Sequence, residues 1–120
     1  MKSTDRRRRV ADEIKRIVAI TLQNEVNNFD MSRVTILRCE VTGDLSEAVV
    51  RYSVLGDNDL RRDCARNLAR VAGFVQRRVA DQVKMYRCPH IRFRFDSSMD
   101  DVMNLEKLFD RIARERDTNE

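Results

Sequence analysis

A chain of 120 residues, 42% hydrophobic and 37% charged, has the composition of one globular domain with a highly charged surface. It is long enough to bury a core without a metal or a disulfide. No apolar run could cross a membrane or serve as a signal peptide, so a cytoplasmic protein with no membrane partner is expected.

The net charge is +4, and its distribution along the chain is uneven. Residues 1–26 carry seven Lys/Arg against four acids, and residues 27–58 carry three against five. Residues 59–95 carry ten against three, and residues 96–120 carry four against eight. A basic middle followed by an acidic tail suggests a polyanionic partner, with the tail facing elsewhere. The plainer alternative is the solvated face of a charge-rich protein.

In chain order, Ser3, Thr4 and Asp5 offer N-caps for a helix from about Arg6 to Glu25, with Val10, Ile14, Ile17, Val18 and Leu22 inward. Arg6, Arg7, Arg8 and Arg9 then stand at the helix start, where the dipole disfavours positive charge. An external anion and a frayed, solvated terminus explain them equally well. Asn27, Asn28 and Asp30 end the helix. Residues 33–42 read as a strand with Leu37, Cys39 and Val41 on one side. After a turn at Gly43-Asp44, residues 47–55 alternate Ala48, Val50, Tyr52 and Val54 against Val49, Arg51 and Ser53. So short a link implies an antiparallel hairpin, which Gly56-Asp57-Asn58 closes.

The stretch from Asp59 to Lys84 organises the rest. Leu60, Cys64, Leu68, Val71, Val75, Val79 and Val83 recur at steps of three and four, so they share one helix face. Arg62, Arg66, Arg70, Gly73, Arg77, Asp81 and Lys84 do the same on the opposite face, within roughly a quarter-turn of one another. The apolar stripe must pack and the basic one must face out. Gly73 exposes bare backbone in the middle of the ridge and weakens the helix by about 1 kcal/mol relative to Ala. Pro89 cannot continue the helix. Ile91, Phe93 and Phe95 then alternate with Arg92 and Arg94 as a third strand. Ser97 or Ser98 caps a last helix with Val102, Leu105, Leu108, Phe109 and Ile112 inward, and residues 114–120 should fray. Residues 1–113 thus form a single domain. Three strands with helices on one side make a two-layer α+β sandwich, and helix, strand, strand, helix, kink, helix, strand, helix is the order of a type II KH-like fold, an RNA-binding class.

Catalytic chemistry finds little to work with. His90 is the only histidine, and it follows Pro89 at a strand start, where a structural role is expected. Three glycines cannot assemble a phosphate loop. Cys39, Cys64 and Cys88 read as small buried hydrophobes in a reducing compartment. Cys88 and His90 could share a metal, but no second pair completes the shell. Neither cofactor nor metal is expected. Tyr52, Tyr86 and the five Phe fall mostly in apolar registers and read as core, which argues against stacking platforms for single strands. Phosphate contacts by Arg and Lys are what remain.

Several segments, in order, resemble the ribosome-binding factor A family. They are Arg9-Val10-Ala11-Asp12-Glu13-Ile14, Val34-Thr35-Ile36, Glu40-Val41, Asp44-Leu45 with Ala48, and Tyr52-Ser53-Val54-Leu55-Gly56. In the second half they are Ala72-Gly73-Phe74, Arg87-Cys88-Pro89, Ile91, Phe93 and Phe95-Asp96-Ser97-Ser98. The resemblance implies a type II KH fold whose Gly-x-x-Gly loop is replaced by a helix kink at an Ala-x-Gly motif, here Val71-Ala72-Gly73. It also implies late maturation of the small ribosomal subunit, processing of the 5′ end of its ribosomal RNA, and growth at low temperature.

The leading expectation is therefore a monomeric, non-enzymatic factor that binds the small ribosomal subunit and its RNA. Arg62, Arg66, Arg70, Arg77, Arg78 and Lys84 would contact phosphates, with Ala72 and Gly73 allowing close approach. Arg6, Arg7, Arg8, Arg9, Lys15 and Arg16 would extend the footprint if the first helix lies beside the long one. A module whose ridge binds an acidic protein is the alternative, and a small hydrolase built on His90 and Cys88 the weakest third.

Overall fold

The computed structural model describes residues 2–24, 33–98, 108 and 110–114. Its elements are α1 (Lys2–Asn24), β1 (Val34–Val41), β2 (Glu47–Val54), α2 (Asn58–Gln82) and β3 (His90–Phe95). β1 and β2 form the expected antiparallel hairpin, with Val34 opposite Val54 and Val41 opposite Ala48. β3 lies parallel to β2, from Glu47 opposite His90 to Tyr52 opposite Phe95, which gives the sheet order β1-β2-β3. A parallel pair needs a crossover, and α2 supplies it. Both helices cover one face of the sheet, a two-layer α+β sandwich of the type II KH kind.

The core lies between the layers. Val10, Ile14, Ile17, Val18 and Leu22 of α1 are buried, as are Ala48, Val50, Tyr52 and Val54 of β2. α1 starts earlier than its sequence suggests, so Ser3, Thr4 and Asp5 lie inside its first turns rather than capping it. Asp5 there suits the positive end of the helix dipole. The four arginines after it consequently sit beyond the first turn, where the dipole has faded, and the electrostatic cost expected of them is small.

In β1 the register slips between Ile36 and Arg38. Such a bulge inserts one residue and reverses the facing of the rest of the strand. Val34 and Ile36 therefore pack on the core together with Cys39, while Leu37, expected beside Cys39 and Val41, is not part of that cluster. The β1–β2 turn closes around Asp44, whose carboxylate accepts from Ser46 N, Ser46 Oγ and Thr42 Oγ at 3.1, 2.7 and 2.8 Å. Those bonds hold its pKa down to about 2. The left-handed residue of this turn is Leu45, at φ 61°, and it half-buries its side chain against the core. At the other end of the hairpin Gly56 has φ 155°, and a Cβ there would meet Leu60 Cδ1 at 2.5 Å. Only glycine fits.

α2 is capped by Asp57, whose side chain accepts from Leu60 N at 2.9 Å. It then runs unbroken to Gln82, so the two helices expected on either side of Gly73 form one element. The energetics favour this. Glycine costs a helix interior about 1 kcal/mol, whereas burying a valine is worth about 1.5–3 kcal/mol. Continuity across Gly73 keeps Cys64 and Leu68 before it in phase with Val75 and Val79 after it, and all four are buried. Val71 is half-buried on the same stripe.

Most of the last helix falls outside the described residues. Ser98, Leu108 and residues 110–114 are helical. Leu108 and Ile112, expected inward, are 44% and 40% exposed, and Val102, Leu105 and Phe109 lie outside the described residues.

Candidate nucleic-acid interface

The ridge predicted along α2 is present. Arg62, Arg66, Arg70, Gly73, Arg77 and Asp81 are all exposed, on the side opposite the buried stripe that fixes the rotation of the helix. Its two halves differ in charge. Arg62 pairs with Asp59 at 3.1 Å and Arg66 with Asp63 at 2.9 Å, both one turn apart. Arg70 and Arg77 have no hydrogen-bonding or ion-pair partner among the described residues. The two ridge arginines of the first half are therefore ion-paired, and Arg70 and Arg77 are not, although Asp81 stands one turn beyond Arg77. Gly73 stands between the two open arginines, and a Cβ there would meet nothing within 4 Å.

Three residues assigned to the RNA contact stand off the ridge. Lys84 lies past the helix, since Val83 is the C-cap with ψ 104° and ends the helical repeat, yet Lys84 remains exposed in the loop beyond. Arg78 is half-buried, with its guanidinium 5.5 Å from the centre of the Phe74 ring. Ala72 faces sideways, into a groove between α2 and β3 that it lines with Ala65, Leu68, Ala69, Tyr52, Ile91, Arg92 and Phe93. Those alanines leave room beside the edge strand that larger side chains would fill.

Gln76, a residue with no distinguishing signal in the sequence, fixes this geometry. Its amide donates to Pro89 O at 2.9 Å and accepts from Ile91 N at 2.8 Å. In effect it pairs with the outer edge of β3 as a neighbouring strand would, and it ties the start of that strand to the last third of α2. β3 also anchors at the hairpin turn, where His90 N donates to Ser46 O at 2.9 Å. Arg7 comes to this same end of the sheet: a Cβ on Gly43 would sit 3.6 Å from its Nη1. α1 packs beside α2 as well as on β1. The start of α1 with Arg6, Arg8 and Arg9, the end of α2 and the start of β3 therefore share one pole of the molecule. Arg16 is exposed and Lys15 half-exposed further along α1.

The aromatic residues divide. Tyr52 is buried and makes edge contacts with Phe93 and Phe95 at 6.5 and 5.8 Å. Tyr86, expected in the core, is entirely in solvent at 102% relative exposure, because the helical phase that would have turned it inward ends at Val83. His90 is exposed. Burial pushes the Cys88 thiol up despite a contact from Gln76, which suits a structural cysteine and not a nucleophile. Among the described residues no group of three or more His, Cys, Asp or Glu could hold a metal ion, and no helix is long and apolar enough to cross a membrane.

Comparison with known proteins agrees with this architecture. The profile of the family "Ribosome-binding factor A" matches residues 6–109. The chain belongs to that family. A ribosome-binding factor A from Roseiflexus sp. (strain RS-1) is 36% identical over 112 residues, 92% of this chain and 86% of its own. A Thermotoga maritima protein studied in solution as a candidate ribosome binding factor A superposes with a TM-score of 0.63 at 29% identity, over 70% of this chain and 80% of its own. A Thermus thermophilus ribosome binding factor A, fitted into a cryo-electron-microscopy map of a 30S–RbfA complex, gives a TM-score of 0.57 at 20% identity, over 72% of this chain and 91% of its own. Within Val71-Ala72-Gly73, Val71 is half-buried on the core side, Ala72 lines the groove and Gly73 faces solvent.

Proposed function

We propose that this chain is a non-catalytic ribosomal RNA-binding factor that docks on immature small ribosomal subunits in the cytoplasm and assists late maturation, including processing of the 5′ end of their RNA. Family membership supports the ribosomal setting, and the fitting of a Thermus thermophilus relative to a 30S particle supports the small subunit. The observation that carries RNA as the contact is the open half of the ridge. Arg70 and Arg77 flank an exposed glycine on a helix whose underside is locked by Leu68, Val75 and Val79. Cations held on a rigid rail and unpaired among the described residues suit phosphates, and they read charge and shape more than sequence. Binding energy used this way holds RNA in one arrangement while folding and trimming finish, and release follows when the favoured state changes.

Reversing both Arg70 and Arg77 to Glu tests the reading. Neither side chain has a partner among the described residues, so the thermal melt should stay within about 0.5 kcal/mol of the parent, while co-sedimentation with immature subunits is lost. A variant that still pellets with subunits would reduce the ridge to a solvated face. Binding that resists salt and ignores RNA would favour an acidic protein partner instead.

A further inference from the structure

The loop between α2 and β3 carries a feature that the ridge does not explain. Residues 83–89 are held at alternate points. Val83 is buried, with its N–H on Val79 O at 2.8 Å, and Met85 packs against the core, with its N–H on Val83 O at 2.9 Å. Pro89 is fully buried, and its carbonyl is held by Gln76. The residues between these anchors project outward: Lys84, Tyr86 and Arg87 are all exposed. Neither cation has a partner among the described residues.

A single exposed hydrophobic side chain is ordinary on a protein surface. Tyr86 differs in its setting. The ring is wholly in solvent, so the fold gains almost nothing from it. The backbone beneath it is pinned, so little loop entropy would be lost on binding. It stands between two free cations that continue the open half of the ridge, at the pole where Arg7 also arrives. A flat π-face flanked by point charges matches a nucleotide, whose base stacks while its phosphates are neutralised on either side. An acidic peptide would engage the cations but offer the ring nothing comparable.

We infer that Tyr86 is a stacking residue for one unpaired base of the bound RNA, with Lys84 and Arg87 holding the adjoining phosphates. The inference rests on the RNA-binding reading above and adds to it a single-stranded element beside the contact made by the helix.

The test compares Tyr86→Ala, Tyr86→Phe and Tyr86→Trp for binding to a short single-stranded oligoadenylate and to a duplex RNA of equal length. Loss of the ring should weaken single-strand binding by roughly 5- to 100-fold. Duplex binding, the thermal melt and the salt slope should stay unchanged, because no charge is removed and the core is untouched. Phe and Trp should preserve affinity. The chain has no tryptophan, so Tyr86→Trp places one indole at the proposed contact, and its emission should be quenched by the single strand and not by the duplex. If Tyr86→Ala binds the single strand as the parent does, while the Arg70→Glu, Arg77→Glu variant does not bind it, the stacking role is wrong and the ridge stands. If the parent binds polyglutamate and neither RNA, both readings fall.

Discussion

Gly73 offers a substitution whose effects on stability and on binding should have opposite signs. It sits mid-helix in α2 without positive φ, exposed, and a Cβ there would meet nothing within 4 Å. Gly73→Ala therefore incurs no steric penalty, and the helix gains about 1 kcal/mol from the better propensity of alanine. For a domain of this size that raises the melting temperature by about 4 °C. If RNA backbone lies against this point, the added methyl pushes it away from Arg70 and Arg77. The helix already uses the Gly73 N–H, so the loss is one of close packing and weak Cα–H···O interaction, about 0.5–1 kcal/mol for each such pair, together with weaker pairing of the two arginines. A several-fold fall in affinity is expected. A thermal melt and a salt-controlled filter-binding titration on one preparation give both numbers. A variant that melts higher and binds as tightly as the parent would show that no close approach occurs at Gly73. One that melts lower would show that the helix is not continuous there.

Asp63→Asn should release Arg66 from its 2.9 Å ion pair; RNA affinity at low salt should rise a few-fold while stability moves by less than about 0.5 kcal/mol, as for exposed pairs generally. Gln76→Ala leaves Pro89 O and Ile91 N without their partner at a half-buried site, which should cost about 1–3 kcal/mol in denaturant unfolding and raise hydrogen exchange at Ile91. Burial, with Glu40 and Asp12 nearby, pushes the Cys39 thiol from 9.0 to about 12. A raised thiol pKa means that the folded state keeps its proton longer, so stability should decline as pH rises from about 9 towards 12, and iodoacetamide should label Cys39 at neutral pH far more slowly in native than in unfolded protein.

Much of the fold was legible because its signals are periodic and redundant. The stripe Cys64, Leu68, Val75 and Val79, the alternation Ala48, Val50, Tyr52, Val54, and the α1 stripe of Val10, Ile14, Ile17, Val18 and Leu22 each repeat one spacing several times, and every one of these residues is buried. The features that escaped depend on single events. One bulge at Leu37 reverses a strand's facing without any composition cue. The end of α2 at Val83 decides that Lys84 leaves the helix and Tyr86 meets solvent, yet Lys84 fits the helical spacing as well as Arg77 does. The helix start at Lys2 was hidden by Ser3, Thr4 and Asp5, good caps that are also tolerated in a first turn. Gln76 was invisible because its role requires knowing where β3 lies.

The candidate site was legible in outline for the same reason, and its internal division was not. Spacing put Arg62 and Arg66 on one rail with Arg70 and Arg77, but it did not weigh the aspartates one turn before the first pair. An exposed ion pair adds little to stability, so the pairing itself does little to hold the helix, although Asp59 in its first turn also suits the dipole. The effect of Asp59 and Asp63 on a polyanion is larger, since each lowers the local positive potential over the first three turns of α2. At the other pole Arg77, Lys84 and Arg87 make no ion pair among the described residues, although Asp81 is exposed one turn from Arg77 and Asp5 lies in the first turn of α1. A phosphate chain approaching the molecule is then steered to that pole and not along the whole helix. The salt dependence of binding should reflect this: neutralising Arg77 should lower the slope of log affinity against log salt by about one, while neutralising Arg62, already paired, should lower it by much less. Equal slopes for the two variants would mean that the pairs open on contact and the whole ridge is engaged.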